Sequence, residues 1–306
     1  MRRLVVFALA LLLDLLLGEP PEPAHPTVWA GRAAQALEPL GRRLAPRSQL
    51  LFGGAVALVL PIAAALAGRR ALRGAARPGW AGLLAEAGLF KSTFAVRALL
   101  GEALALRRLL EEGDLQGARQ RARALVGRDT SRLGVAELVS AGLESLAENS
   151  TDAFIAPWLY YVVAGTEGAL AYRVINTLDA MWGYHGEYEH LGKAAARLDD
   201  LANLLPARLS TLLLALASGK PRPALATALA HHSRTESPNA GWTMSALAGA
   251  LGVELEKAGH YRLGKAWRPL TPPLLREGAT LVARTAALGA ALVALLLVVE
   301  ARLWRR

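Results

Sequence analysis

Two long apolar runs constrain this chain more than any other feature of its sequence. One, LLFGGAVALVLPIAAALAG, covers residues 50–68, and the other covers roughly 279–300 with AALGAALVALLLVV at its centre. A helix of about 20 predominantly apolar residues is long enough to cross the hydrocarbon core of a bilayer. The sequence therefore predicts a helical membrane protein rather than a pair of soluble domains.

Three further segments are candidates for membrane embedding. They are 4–17, which is short, 153–172, and 204–219, which is short and carries Arg208. We expect four to six embedded segments, some of which do not cross the bilayer fully. The first segment resembles a secretion signal, but Asp14 interrupts its apolar run and no clean cleavage site follows. We therefore interpret it as a retained helix.

The composition agrees with helices in a membrane. The chain is 53% hydrophobic and Leu and Ala dominate, which favours helix over strand. Its formal net charge of +10 suits an anionic membrane surface or an anionic substrate, and no basic helix with interleaved aromatic residues indicates nucleic acid. The absence of cysteine excludes disulfides, thiolate catalysis and cysteine zinc sites. We predict an all-α, polytopic membrane bundle with a single domain over residues 1–306.

Charged and polar segments organise the rest of the chain. Segment 91–150, approximately, has apolar residues at helical spacing opposite Arg and Glu, and we expect amphipathic helices at the membrane surface with a turn at Gly113-Asp114. Segments 220–238 and 256–277 are predicted to be loops, the first around a short helix. Arginine clusters follow both strong apolar runs, so both ends are predicted to be cytoplasmic. The clusters are Arg69, Arg70, Arg73 and Arg77, and Arg302, Arg305 and Arg306.

Polar groups concentrate in segment 172–208, between apolar segments. Placing such groups beside a bilayer costs about 2.5–3.5 kcal/mol each on insertion scales, which is tolerated when they pair or line a polar cavity. These groups form two stripes at helical spacing. Pairing of Arg with Asp would explain either stripe alone, whereas the presence of both stripes favours the wall of a cavity. The stripes are Arg173, Asn176 and Asp179, and Arg197, Asp200 and Asn203 with Asp199 beside them.

Two shorter motifs add to this polar set. In ENSTD, Glu148 and Asp152 share a helix face with Asn149 beside them, and a divalent cation would reverse the repulsion between the two acids. The alternative is an ordinary helix start, capped by one of the residues between the acids. SPNAGW, 237–242, is a turn that holds Asn239 either for a substrate group or as a helix cap.

In this order the motifs resemble the integral membrane adenosylcobinamide-phosphate synthase family of cobalamin biosynthesis. The resemblance covers about residues 5–299, and after SPNAGW Thr243-Met244 replace the Pro-Glu of the family pattern, which removes an acidic side chain. The matching stretches are DLLLGEPPEPAHPTVWAGR, RDTSRLGVAELVSAGLESLAENSTDAFIAPWLYY, YRVINTLDAMWGYHGEYEHLGKAAARLDDLANLLPARLS and SPNAGWTMSALAGALG.

The resemblance implies an enzyme that forms an amide bond with ATP and Mg²⁺. The expected reaction joins a propionate of adenosylcobyric acid, a corrinoid, to 1-amino-2-propanol or its O-phosphate. The expected partners are these substrates, membrane lipid and other late enzymes of the pathway, with no nucleic acid. A multi-pass protein of the cell membrane with a cytoplasmic active site is expected.

The resemblance also implies roles for the polar residues as groups. The expected catalytic residues are Glu148, Asp152, Asp179 and Asp200. The expected metal ligands are Glu148, Asp152, Asp179 and Asp199. The expected substrate and phosphate ligands are Lys91, Arg97, Asn149, Arg173, Asn176, Arg197, Asn203, Arg208 and Asn239.

Two other classes of function stay open on the residues alone. An intramembrane Mg²⁺-dependent prenyltransferase uses Asp-rich helical motifs, which N-x-x-D at 149–152 and DDLAN at 199–203 resemble loosely. These motifs lack the repeated aspartates of that class. A non-enzymatic membrane sensor or a transporter would also place charges inside a helical bundle. The density of acidic and amide groups favours catalysis.

Overall fold

The computed structural model describes residues 1–22, 25–74, 79–127, 129–184 and 186–303. Nearly all regular structure in these ranges is helical. A π-helix, Thr151–Ile155, and a 3₁₀ turn, His232–Arg234, interrupt the α-helices, and the strands are β1 (Glu254–Lys257) and β2 (Tyr261–Gly264). In chain order the α-helices are α1 (Arg2–Leu17), α2 (Pro26–Arg42), α3 (Pro46–Gly74), α4 (Trp80–Lys91), α5 (Val96–Glu111), α6 (Leu115–Arg123), α7 (Val135–Ser150), α8 (Ala156–Trp182), α9 (Lys193–Ala217), α10 (Pro221–His231), α11 (Ala240–Leu251) and α12 (Pro273–Leu303).

The chain divides into two compact units. The first consists of Met1–Ala95, Ala156–Asn203 and Leu292–Arg306. The second consists of Val96–Ile155 and Leu204–Ala291. The single domain over 1–306 stays a prediction.

Three described helices are long and apolar enough to cross a membrane, namely α3, α9 and α12. They contain the predicted runs 50–68 and 279–300 and all but the last two residues of run 204–219, which confirms the all-α membrane bundle. Helix α9 begins at Lys193, well before the predicted run, so its first part carries the polar residues of segment 172–208. The other predicted embedded segments do not meet the same criterion of length and composition.

Segment 153–172 does not form the continuous apolar helix expected from its sequence. It lies in the π-helix and in α8, and α8 is interrupted at Ala164 (φ −136°, ψ 21°) and Gly165 (φ 67°, ψ −159°). The backbone of Gly165 occupies a region that is essentially restricted to glycine. The interruption therefore has a local cause in the sequence, a glycine between two apolar halves.

Aromatic rings form one core of the first unit. Phe7 of α1 packs edge-on against Trp158 at 5.5 Å, and Phe90 of α4 stacks on Tyr161 at 4.0 Å. All four rings are at most 2% exposed. Aromatic pairs at such distances contribute about 0.5–1.5 kcal/mol beyond the area they bury. These contacts pack the short helix α1 against α4 and α8. Tertiary packing therefore holds α1 in place although it is too short to span a bilayer.

Adjacent glycines in α3 give a matched test of the packing in this unit. A methyl group added at Gly53 would overlap the carbonyl oxygen of Leu191, whereas one at Gly54 would lie 3.9 Å from the Ala194 Cβ. We expect Gly53→Ala to destabilise the protein by about 1–3 kcal/mol through overpacking. Gly54→Ala should be neutral or stabilising by up to about 1 kcal/mol, because alanine favours helix. Thermal unfolding in detergent measures both, and equal effects would contradict the close approach.

The second unit is built around α7, which is more buried than predicted. Residues 138–147 are all buried, and α7 packs against α5, α11 and β1. The amphipathic pattern expected for 91–150 therefore holds for α5 and α6, with the turn at Gly113-Asp114, but not for α7. Small residues on α7 let neighbouring helices and the strand pack on several of its faces.

A β-hairpin replaces part of the loop expected at 256–277. Strand β1 pairs antiparallel with β2, with Leu255 opposite Leu263, and both of these leucines are fully buried. Gly259, at φ 76°, lies in the turn between them. The strands are too short for their alternation to stand out in the sequence.

Candidate functional site

A network of side-chain amides holds a buried carboxylate in the first unit. Both oxygens of Asp199 accept hydrogen bonds, one from Asn176 Nδ2 at 3.3 Å and one from Asn203 Nδ2 at 3.0 Å. The Tyr172 hydroxyl donates to Asn203 Oδ1 at 2.9 Å, and Arg173 Nη1 donates to Asn176 Oδ1 at 3.3 Å. Tyr172 and Asn176 on α8, and Asp199 and Asn203 on α9, are each four residues apart, so each pair lies on one helix face. Segment 172–208 thus contains an ordered polar network around one acid.

The second polar stripe differs from its predicted membership. Asp199, which is 8% exposed, shares the buried face with Asn203, whereas Arg197 is exposed and Asp200 is half-buried. A step of four residues follows the 3.6-residue helical repeat as well as a step of three does. The sequence pattern alone did not distinguish the two, and packing against α8 selects the step of four.

Asp179 lies on α8 three residues beyond Asn176 and is partly buried. Burial is the largest cause that raises its pKa, to about 7, and the charges of Asp199 and Asp200 add to this effect. A carboxyl with a pKa near neutrality exchanges its proton readily at physiological pH, which suits a general base. Among the predicted acids, Asp179 has this property together with proximity to the amide network.

The network borders a large apolar cavity of the first unit. The cavity has a volume of about 450 Å³, and Arg173 is the charged residue of its lining. Its other walls come from α2, α3, α4 and α8, and include Trp29, Leu60 and Val174. Ligand sites commonly combine an apolar cavity with a few polar groups at one point. Here Arg173 joins the cavity to the Asn176–Asp199 pair.

Arg208 is fixed by a second polar cluster, in the second unit. Its guanidinium donates to Asn239 Oδ1 and to the carbonyl oxygen of Pro238, and it lies 5.1 Å from the ring centroid of Trp242. His232 stacks on Trp242 at 4.0 Å with an interplanar angle of 16°. These partners are neutral or aromatic, so they orient the guanidinium without neutralising it with a carboxylate. The predicted turn of SPNAGW therefore positions Arg208.

The ENSTD motif does not start a helix. Helix α7 runs to Ser150 and the π-helix Thr151–Ile155 follows directly, so no helix end requires a cap there. Asn149 Nδ2 donates to the carbonyl oxygen of Ser145 at 3.0 Å, and Asp152 is half-buried. Single-turn π-helices occur frequently at functional sites. Of the two readings the sequence offered, the capped helix start is wrong.

Glu148 faces a polar cavity of about 230 Å³ in the second unit. Its lining includes Ser237, Lys257, His260 and Tyr261. Met244, the residue that stands in place of an acid in the family pattern, lines the same cavity. The missing carboxylate thus leaves Glu148 and Glu236 as the acids of this lining.

Sequence reasoning missed a buried acidic partner of this cavity. Glu144 is 4% exposed, and its carboxylate accepts hydrogen bonds from Ser140 Oγ at 2.7 Å and from the Tyr261 hydroxyl at 2.9 Å. Ser140 in turn accepts from the backbone N–H of Glu256 at 2.9 Å. Only the four-residue spacing of Ser140 and Glu144 signalled this in the sequence. The network fastens β1 and β2 to α7.

Lys91 is part of a buried ion network in the first unit. It is 3% exposed, and its ammonium pairs with Glu19 and, at 3.1 Å, with Asp14 Oδ1. His25 Nδ1 accepts from the backbone N–H of Thr27, so the proton on Nε2 is donated to Glu19 at 3.0 Å. Burial would raise the pKa of Glu19, but the His25 and Lys91 hydrogen bonds lower it overall.

The roles predicted for Lys91 and Arg97 as phosphate ligands stay predictions. Lys91 is held by carboxylates, while Arg97 lies exposed at the start of α5. Sequence reasoning missed Asp14 and Glu19 as partners of Lys91, and His25 as a partner of Glu19, because all three lie more than sixty residues from Lys91 along the chain. The polar motif DLLLGEPPEPAH was the one signal that they belong together.

The described residues contain no group of three or more His, Asp or Glu side chains placed to hold a metal. Mg²⁺ often binds through one or two carboxylates and completes its shell with water and substrate phosphates. Asp199 fits such a site better than an all-protein cage, while the metal role of Asp179 stays a prediction, because its raised pKa suits a base. The other two predicted ligands, Glu148 and Asp152, lie in the second unit.

Comparisons with known proteins give one consistent result. The family model described as CobD/Cbib protein matches residues 7–297. The cobalamin biosynthesis protein CobD of Dehalococcoides mccartyi is 41% identical over 282 residues, 89% of this chain and 90% of that protein. CobD of Klebsiella pneumoniae is 38% identical and CbiB of Salmonella choleraesuis 37% identical, each over 276 residues, 86% of both chains. No solved structure matches the chain significantly.

Proposed function

Because this chain belongs to the CobD/CbiB family of cobalamin biosynthesis proteins, we propose that it catalyses the amide-forming step of that pathway. In this proposal, ATP drives the joining of an adenosylcobyric acid propionate to 1-amino-2-propanol or its O-phosphate. The observation that carries it is the Asp199 amide network, with the near-neutral Asp179 beside it, at the wall of an apolar cavity.

The chemistry requires an activated carboxyl group. A propionate oxygen attacks the γ-phosphorus of ATP, the bond to ADP breaks, and an acyl phosphate forms. The amine nitrogen then attacks the acyl carbon, the bond to phosphate breaks, and the nitrogen loses a proton. Asp179 is suited to accept that proton, because a base is most effective when its pKa lies near the working pH.

Cationic and amide side chains position the reactants in this proposal. Arg173 lines the apolar cavity and binds a phosphate or carboxylate, while Asn176 and Asn203 keep Asp199 oriented. Guanidinium groups bind phosphate through two parallel hydrogen bonds. Mg²⁺, held through Asp199 when bound, would neutralise charge on the phosphate oxygens.

Arg208 is proposed to bind the phosphate of a substrate, and this is testable by a conservative change. We expect Arg208→Lys to raise KM for aminopropanol phosphate about tenfold with little change in kcat, since lysine loses the planar fork and the stacking on Trp242. Arg222→Lys, an exposed position on α10, is the matched control. An equal rise in KM for free aminopropanol would contradict a phosphate contact.

We also propose a cell-membrane protein with several crossings and a cytoplasmic site. The three apolar helices support the membrane location. Arg69, Arg70 and Arg73 at the end of α3 support a cytoplasmic end by the positive-inside rule. Cysteine residues introduced at Arg73 and labelled from either side of sealed vesicles test this orientation.

The reaction is tested with purified protein in detergent, adenosylcobyric acid, ATP and Mg²⁺. One tube receives aminopropanol phosphate and a second receives aminopropanol, and mass spectrometry follows the corrinoid product. Product that requires both ATP and Asp179 supports the proposal, and the faster tube identifies the amine. Failure to bind the corrinoid would contradict it, and Mg²⁺-dependent binding of an isoprenoid diphosphate instead would favour a prenyltransferase.

A further inference from the structure

A cavity of about 330 Å³ in the second unit has a basic wall. Lys220 follows the end of α9, Arg268 precedes α12, and Arg276 and Arg284 lie on α12 itself. Glu277 is the acid of the lining. Four basic side chains and one acidic side chain leave a net charge of +3 on the wall.

One acid, Glu277, acts on two of the four cations, since Arg268 pairs with it and Lys220 interacts with it at longer range. Arg268 forms a two-pronged ion pair with Glu277, with N–O distances of 2.7 and 2.8 Å. Within the described ranges, Lys220, Arg276 and Arg284 form no ion pair with a carboxylate. Three exposed cations around one cavity make its potential positive, and a bound anion would lower their mutual repulsion. The cavity therefore has the charge of an anion site.

Exposed leucines lie on the same face as the basic wall on α12 and precede Lys220 in the sequence on α9. Arg276, Thr280, Arg284 and Leu288 follow at steps of four on α12, so they share one helix face, and Leu288 is 40% exposed. On α9 the leucines Leu212 and Leu216 are 45% and 54% exposed, shortly before Lys220.

Both helices are among those apolar enough to cross a membrane. On α12, one helix face thus passes from an exposed leucine to cations that line the cavity. That order matches the order of groups in a phospholipid, from acyl chain to phosphate. A soluble phosphate would use the cations but not the leucines.

We propose that this cavity binds the phosphate of an anionic phospholipid, with an acyl chain along Leu288 of α12. Long basic side chains near helix ends extend their charged groups to the membrane interface, where they attract lipid phosphates. The site is independent of the proposed amide-forming reaction. Its occupation would stabilise the folded protein by an amount that rises with the logarithm of lipid concentration above the Kd.

Native mass spectrometry of the full chain tests the proposal. The protein is released from nanodiscs of phosphatidylcholine with phosphatidylglycerol, and retained lipid is identified under increasing detergent stripping. We expect one phosphatidylglycerol to be retained after phosphatidylcholine is lost. Arg276→Gln with Arg284→Gln should reduce that retention at least about tenfold, since each basic side chain near the surface contributes severalfold to anionic lipid binding.

Two further variants distinguish lipid binding at this cavity from non-specific attraction of anionic lipid to positive charge. Arg69→Gln with Arg73→Gln removes the same charge at the end of α3, from residues that do not line this cavity, and should retain the lipid. Arg276→Lys with Arg284→Lys keeps the charge and should restore most of the retention. Equal loss in the α3 variant, or loss in the lysine variant with unchanged thermal unfolding, would overturn the proposal.

A third arm distinguishes the source of the phosphate. Inorganic phosphate and ATP are titrated onto lipid-stripped protein and onto the Arg276→Gln, Arg284→Gln variant. Weak binding that is the same for both proteins supports a lipid. Tight binding of either anion that depends on these arginines, without retention of phosphatidylglycerol, would assign the cavity to a soluble ligand and overturn the lipid proposal.

Discussion

Asp179→Asn is expected to lower kcat by about 10²–10⁴-fold, the contribution typical of a general base, while the protein still inserts into the membrane. Asparagine has nearly the same shape but cannot accept the proton released by the attacking amine. Glu112→Gln, an exposed acid at the end of α5, is the matched control and should keep full activity. Product formation followed by mass spectrometry gives the rates. Turnover within a few-fold of the wild type would remove Asp179 from the mechanism.

The pH dependence follows from the same carboxyl group. Because the pKa of Asp179 is raised to about 7, its deprotonated form grows from about a tenth at pH 6 to about nine tenths at pH 8. The wild-type kcat/KM should rise over this interval, and residual activity of Asp179→Asn should not follow that rise. A profile that is flat between pH 6 and pH 8 would contradict the assigned role.

The raised pKa also has a consequence for stability, with a definite sign. The folded protein favours the protonated form of Asp179, so this stabilising contribution is complete below pH 4 and is lost as the pH rises to about 7. Asp179→Asn should therefore be more stable than the wild type at pH 8, by up to about 4 kcal/mol, and similar near pH 4. Thermal unfolding at both values measures the difference, and greater stability of the wild type at pH 8 would contradict it.

Lys91→Met is expected to destabilise the protein by about 3–5 kcal/mol, because it leaves two carboxylates without their buried cation. Asp14 is 1% exposed and Lys91 is 3% exposed, so water replaces the lost partner poorly. Adding Asp14→Asn to Lys91→Met should recover part of the loss, since one of the unpaired charges is removed. Unfolding in a denaturing detergent measures each variant.

A surface ion pair is the control for the Lys91 result. Arg262→Met breaks the exposed pair with Glu256 and should cost less than about 1 kcal/mol. The comparison also tests the sequence-based role of Lys91 in phosphate binding. Unchanged stability of Lys91→Met together with a raised KM for ATP or aminopropanol phosphate would favour that role over the structural one.

The membrane helices were the most predictable part of the fold. Runs 50–68 and 279–300 contain enough consecutive apolar residues to mark α3 and α12 without any tertiary information. The start of α9 was not predictable in the same way, since Asp199 and Asp200 lower the local hydropathy. Their place in a membrane-capable helix becomes intelligible only with the amides of α8, which the sequence does not show to be neighbours.

The polar groups of the site were predictable as a set but not as a geometry. The segment around Asp179 stood out because polar residues interrupt apolar sequence. The pairing of Asp199 with Asn203 depended on which helix face packs against α8, and the partners of Lys91 depended on contacts between distant parts of the chain. Such long-range contacts leave no periodic signal.

The break in α8 makes Gly165 a position at which substitutions are not tolerated. Every amino-acid-changing base substitution in a glycine codon adds a side chain, and Gly165 holds a backbone conformation that side chains do not tolerate. A saturation library selected for cobalamin production should therefore return glycine almost alone at 165, while neighbouring Val163, 77% exposed, accepts many residues. Directed evolution toward a more stable variant therefore has to find its stabilising substitutions at other positions and retain Gly165.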